Sequence, residues 1–112
     1  MMRVTLTTTG RRTRQPREVT LYAFGDGGRL VIVGSLGGAP KDPAWVGNLR
    51  ANPQATVVRG RHVHQVRAQE VKGSERDRLW QLVCEGFPLY ATYQRRTTRL
   101  IPVFLLEPTT ES

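Results

Sequence analysis

Short apolar–polar alternations broken by Gly and Pro give most of the chain a β reading. "RVTLTTT" (3–9) predicts a first strand. "REVTLYAF" (17–24) and "RLVIVGS" (29–35) predict two more, and "GDGG" (25–28) between them carries a hairpin signal because several of its positions tolerate positive φ. Leu30 to Val33 are apolar on both faces, which predicts a central strand. "LGGAPKDP" (36–43) reads as a loop that other groups approach closely. Asp42 suits an N-cap and Pro43 the first helical position, opening a short helix over 43–51 that Asn52-Pro53 ends.

Strands resume at "QATVVRG" (54–60) and "HVHQVRAQEV" (62–71), joined tightly at Gly60-Arg61. Ser74 with Asp77 forms a capping-box pattern for a helix over 75–85, with Leu79, Leu82 and Val83 as its apolar stripe. Pro88 restarts a helical turn through Tyr90 and Tyr93. "LIPVFLLEP" (100–108) predicts the last strand, with Pro102 pointing to an edge or a bulge. The whole reads as one domain over 1–108 with a disordered tail over 109–112. About six strands, with a helix after the third and helices before the last, predict a small closed or nearly closed barrel, whose mouths and loops are where a small-molecule pocket forms.

Charge adds a partner class. Among 112 residues, 17 are Lys or Arg against 9 Asp or Glu, a formal charge of +8, and Arg11, Arg12, Arg14 and Arg17 cluster in one turn. A nucleic acid, a membrane surface or a phosphorylated coenzyme would each attract such a cluster. Arginine accounts for 15 of the 17 basic residues, a skew that a GC-rich genome also produces. Residues 10–18 hold no aromatic side chain for base stacking, so no nucleic-acid partner is expected. No signal peptide and no long apolar stretch is present, and the expectation is a cytoplasmic protein without integral membrane association.

Other chemistries find little support. Cys84 is the one cysteine, which excludes an internal disulfide and reads as a buried inert thiol. His62 and His64 face the same side of a strand. That arrangement suits either a two-histidine metal site or two surface histidines, and no ligand at a supporting spacing favours a metal. "RGRH" (59–62) is similar to minor-groove arginine hooks, but its place at a hairpin favours a tight turn. Neither a GxGxxG nor a P-loop lysine occurs, which argues against the usual nicotinamide enzymes.

Three segments carry a resemblance. "TTTGRRTRQPRE", "SLGGAPKDPAWVGNLRANP" and "FPLYATYQRRTTRLIPVFLLEP" resemble, in order and spacing, the deazaflavin-dependent nitroreductase family, which uses coenzyme F-420. The resemblance runs over residues 5 to 108. It implies a mainly β split barrel of the FMN-binding type with short helices, and a reductase that passes hydride from reduced F-420 to a quinone, a nitro compound or an activated alkene. The alternatives are a non-catalytic F-420 carrier, an FMN-binding split barrel, or a basic nucleic-acid-binding barrel. Some members carry a longer, membrane-associated N-terminal segment; here the first strand starts at once, giving the expectation of a soluble form. A monomer or weak homodimer is expected.

The resemblance also implies site residues. Arg11, Arg12, Thr13 and Arg17 match positions that hold the phosphodiester and polyglutamate tail, with a solvated basic turn as the alternative. Arg14 stands where glycine is common. Tyr22, Val33, Gly34, Ser35, Leu36, Gly38 and Ala39 match the cofactor segment, although Leu36 replaces a usual lysine. Ala44, Trp45 and Asn48 match the helix lining the same pocket; Trp45 also fits a core anchor and Asn48 a capping residue. Gly47 departs from a bulkier pattern at about 1 kcal/mol of helix propensity; with Leu36 it implies either a wider pocket or weaker cofactor affinity. Tyr90 is implied at both cofactor and acceptor. Tyr90, Tyr93 and Ser35 are the candidate catalytic donors, and Phe87, where tyrosine is frequent, points to an apolar acceptor side. No metal is implied.

Overall fold

Gly27, at φ 66°, and Gly28 turn the chain between strands β2 (Pro16–Asp26) and β3 (Arg29–Val33). Gly60, at φ 59°, does the same with Arg61 between β4 (Gln54–Arg59) and β5 (His62–Glu70). The computed structural model describes residues 1–109. Strand β1 (Met2–Thr9) precedes these, helix α1 (Ala44–Ala51) follows β3, helices α2 (Gly73–Gly86) and α3 (Leu89–Arg95) follow β5, and β6 (Val103–Pro108) is last.

All pairings are antiparallel and run β1-β2-β3-β6-β5-β4 into a closed barrel, with Leu6 opposite Val57 where β1 meets β4. This is the split barrel that the sequence implied. Val4, Leu6, Ala23, Ile32, Val57 and Leu106 point inward, and α1 stoppers one end with Trp45, Val46 and Leu49. Trp45 lies edge-on to Phe104, ring centroids 5.7 Å apart. Outside, Phe24, Val31, Val33 and Leu105 pack beneath Leu79, Val83 and Tyr90 of α2 and α3. Strand β3 is thus buried on both faces because helices cover its outer side.

Several local expectations give way to long-range contacts. Asp42 does not cap α1: Pro43 occupies the cap position in an extended conformation, and the Asp42 carboxylate pairs with Arg50 and Arg99. The Ser74 box does not form; α2 begins earlier, at Gly73 with φ 60°, and no side chain caps it. Pro102 precedes β6 rather than lying in an edge strand, because β6 sits between β3 and β5, and its carbonyl accepts from the Gly34 N–H at 2.9 Å. Gly34 and Ser35 fall outside β3. Of the expected tail, Thr109 bonds the Gln65 carbonyl through its N–H (2.9 Å) and hydroxyl (3.2 Å), while 110–112 lie outside the described residues.

Candidate functional site

The basic turn is folded onto α1 by one buried amide. Asn48 Oδ1 accepts from the Arg11 N–H at 3.0 Å, and its Nδ2 donates to Thr8 Oγ1 at 3.1 Å. Arg14 adopts φ 61° and closes the turn through its N–H on the Gly10 carbonyl, 2.8 Å. This left-handed position accounts for the glycine common there in the resembling family. Thr13 Oγ1 accepts from the Gln15 N–H at 3.2 Å and from Arg17 Nη2 at 3.5 Å. The Arg11 guanidinium packs over Gly47, where an added Cβ would sit in ordinary contact, 3.4 Å from Arg11 Nη1.

The result is a hollow of about 430 Å³ lined by Arg11, Arg12, Thr13 and Arg17 on one side and by Ala44, Gly47 and Asn48 on the other. Among the described residues, none of Arg11, Arg12 and Arg17 is paired with a carboxylate. Arg50, on the same rim, is engaged by Glu70 at 2.8 Å and Asp42 at 3.1 Å. Its hydrogen bonds hold the Glu70 carboxyl below the usual range.

One arginine shapes the next stretch. Arg99 donates from Nε to the Ala39 carbonyl (2.8 Å), from Nη1 to the Gly34 carbonyl (3.2 Å) and Asp42 Oδ1 (2.8 Å), and from Nη2 to the Ser35 carbonyl (2.8 Å). The loop so gathered carries Leu36 at φ 44°, half exposed. Gly34 lies under α1, where a Cβ would fall 2.8 Å from Val46 Cγ2. Gly38 lies under α3, 2.7 Å by the same measure from the Tyr93 carbonyl. Both glycines are required for packing, and neither lines the hollows, nor does Ala39.

An aromatic hollow of about 380 Å³ opens between the outer face of β2 and α3, bordered by Tyr22, Val33, Ser35, Phe87, Tyr90 and Tyr93. Phe87 and Phe24 pack edge-on against Tyr90 at 4.8 and 5.8 Å, and Tyr93 lies 6.3 Å away under the Arg96 guanidinium. Burial, reinforced by Tyr93, pushes the Tyr90 phenol up to about 12. A third hollow of about 720 Å³ joins the two ends, sharing Arg11, Arg17 and Asn48 with the first and Val19, Leu36 and Trp45 with the aromatic one. The surface is one trough, cationic at one end and aromatic at the other. A long ligand with an anionic tail and a flat ring fits that gradient, and unpaired cations are what such a tail requires.

Thirteen of the sixteen implied residues thus border this trough: Arg11, Arg12, Thr13, Arg17, Tyr22, Val33, Ser35, Leu36, Ala44, Trp45, Asn48, Tyr90 and Tyr93. Sequence reasoning missed Arg99, Asp42 and Val19. Arg99 lay inside a quoted motif, but its loop partners are 57 to 65 residues away. Arg14 lines a separate hollow beside Thr7 and Gln54. His62 and His64 stack in the open, 6.3 Å apart, and among the described residues no group of three metal-ligating side chains occurs. Cys84 is half-buried, and burial raises its thiol.

Comparison with known proteins finds relatives along nearly the whole chain. The sequence profile described as F420H(2)-dependent quinone reductase matches residues 1–108. An F420H(2)-dependent quinone reductase of Mycobacterium tuberculosis is 43% identical over 104 residues, covering 90% of this chain and 70% of the relative. A solved F420-H2 dependent reductase superposes with a TM-score of 0.86 at 42% identity, covering 94% of this chain and 93% of the other. A structure described as a domain-swapped dimer gives a TM-score of 0.87, also at 42% identity, covering 94% and 79%. No helix among the described residues is long and apolar enough to cross a membrane. Matched along nearly its whole length in both sequence and shape, the chain belongs to the F420H(2)-dependent quinone reductase family.

Proposed function

We propose that this chain is a coenzyme F-420H2-dependent reductase whose acceptor, a quinone before a nitro compound or an enone, is met at the aromatic end of the trough. The observation that carries the reading is the continuity between three unpaired arginines and the Tyr90–Tyr93 hollow. Arg11, Arg12 and Arg17, all exposed, would hold the phosphodiester and glutamate carboxylates through charge-assisted contacts, each contributing up to about 1 kcal/mol and weakened by salt. Asn48 keeps the arginine turn on α1, and Trp45, Pro43 and Leu36 give the ring an apolar bed. Bound there, the reduced deazaflavin supplies two electrons as hydride.

At the acceptor end the protein's work is orientation and charge stabilisation. The Tyr90 phenol keeps its proton throughout the neutral range and is a donor at Oη. Tyr93 and the Ser35 hydroxyl border the same hollow. Donors of this kind strengthen their hydrogen bonds as negative charge grows on a quinone oxygen. A cytoplasmic location and a monomeric or weakly dimeric state belong to the same proposal.

The test separates holding from chemistry. F-420 binding is followed by fluorescence, and menadione reduction is measured at saturating F-420H2. Arg12→Ala and Arg17→Ala should raise the coenzyme dissociation constant while saturating coenzyme restores most turnover. Tyr93→Phe should lower turnover with coenzyme affinity nearly unchanged. Higher salt should weaken coenzyme binding by screening the arginines. Tight binding of a short DNA duplex without F-420 binding would overturn the reading.

A further inference from the structure

The trough lies where β1 ends and β2 begins; the antiparallel order puts the start of β1, the end of β2 and the β4–β5 turn at the other mouth. There the inward-facing positions change character. On β4 the inward series Ala55 and Val57 continues to Arg59, and on β5 the series Ala68 and Val66 continues to His64 and His62. A barrel closed by its own core would end on apolar side chains in this layer. On β2 the inward series Leu21 and Ala23 continues to Gly25, where an added Cβ would meet nothing within 4 Å.

The layer is therefore left unfilled, as a hollow of about 250 Å³. Its apolar wall is Met2, Leu30, Val66, Leu106 and Pro108, and its rim carries Arg29, Arg59 and His64; among the described residues no carboxylate lines it. Arg29 is occupied by Asp26 at 2.9 Å. Among the described residues, no side-chain hydrogen bond or ion pair engages Arg59 or His64, whose backbones lie in the β4–β5 ladder, and His62 stacks on His64. The volume falls below the usual range for cofactor-sized ligands. It admits a short chain or a single ring.

We infer that this far mouth is a second binding site, for a small amphipathic carboxylate whose apolar part enters the hollow and whose carboxylate meets Arg59 and His64. A planar carboxylate suits the guanidinium fork, and the hydrocarbon part replaces the missing core layer. The site uses no residue of the trough, so its occupancy stands or falls apart from the coenzyme reading.

Amide chemical shifts of the folded chain, titrated with hexanoate, test the proposal. Hexanoate should give saturable shifts at Gly25, Gly27, Gly28 and Val66, unchanged by saturating F-420. Hexanol and acetate, which lack the charge and the chain respectively, should each bind at least about tenfold more weakly. Arg59→Ala should weaken hexanoate about tenfold or more. Gly25→Leu should abolish binding by filling the hollow; should it fail to fold, Arg59→Ala on the exposed rim carries the test alone. No saturable shift with hexanoate would overturn the inference. So would hexanol binding equally well, which makes the hollow a greasy dent, or acetate doing so, which makes it a basic surface.

Discussion

The Arg99 guanidinium donates to the Ser35 carbonyl at 2.8 Å, a contact spanning 64 residues of chain. With its bonds to Gly34, Ala39 and Asp42, it fixes the loop on which Leu36 hangs between the two ends of the trough. Arg99→Ala should cost about 2–4 kcal/mol, because it leaves three carbonyls and the Asp42 carboxylate short of partners. Arg99→Lys keeps the charge but not the fork. It should fold, bind F-420 about tenfold more weakly and regain turnover at saturating coenzyme. Urea unfolding and fluorescence titration read the two effects, and wild-type affinity in Arg99→Lys would show that the loop holds itself.

Gly47 should respond to size. Gly47→Ala adds a Cβ about 3.4 Å from Arg11, ordinary contact. The variant should gain up to about 1 kcal/mol from helix propensity and keep coenzyme affinity. Gly47→Leu should displace the guanidinium and raise the coenzyme dissociation constant several-fold without loss of fold. Equal affinity in both variants would take Arg11 out of the binding set.

Alkaline titration should single out Tyr90. Its phenol, raised to about 12 by burial, binds its proton more tightly when folded than when unfolded near 10. The stabilisation is therefore whole below pH 10 and lost as pH rises toward 12. One of the three tyrosines should ionise late by ultraviolet absorbance, and Tyr90→Phe should remove that step along with part of the alkaline loss of stability.

Arg14→Gly should stabilise. At φ 61° an arginine carries left-handed strain of about 1 kcal/mol, part of which glycine's greater freedom in the unfolded chain offsets. A urea midpoint shifted upward by the equivalent of about 0.5 kcal/mol is expected, with F-420 affinity unchanged because Arg14 lies off the trough.

What the sequence made legible was whatever repeats locally. The β-branched run 3–9 marked the first strand, and Gly60-Arg61 and Gly27-Gly28 marked turns. Asp42 and Ser74 were misread as caps because each matched a local rule, while the competing partners of Asp42, Arg50 and Arg99, are 8 and 57 residues away. In the site, Arg12 and Arg17 were visible as charge and Tyr90 and Tyr93 as helical spacing. Gly34 and Gly38 were visible as glycines but not for their reason: each answers a contact, with Val46 and with the Tyr93 carbonyl, that only tertiary packing creates.

The position of Arg99 near the end of the chain has a consequence for biosynthesis. A nascent chain that has emerged through β5 holds every arginine of the cationic turn, yet nothing gathers loop 34–42 and β3 still lacks β6 on its open side. Domains that depend on such late, distant pairings complete slowly and expose strand edges meanwhile. The aromatic half of the trough is thus assembled last, when β6 seals the barrel and Arg99 arrives with it. A ribosome-stalled chain ending before Arg99 should hold no coenzyme, however intact its basic turn.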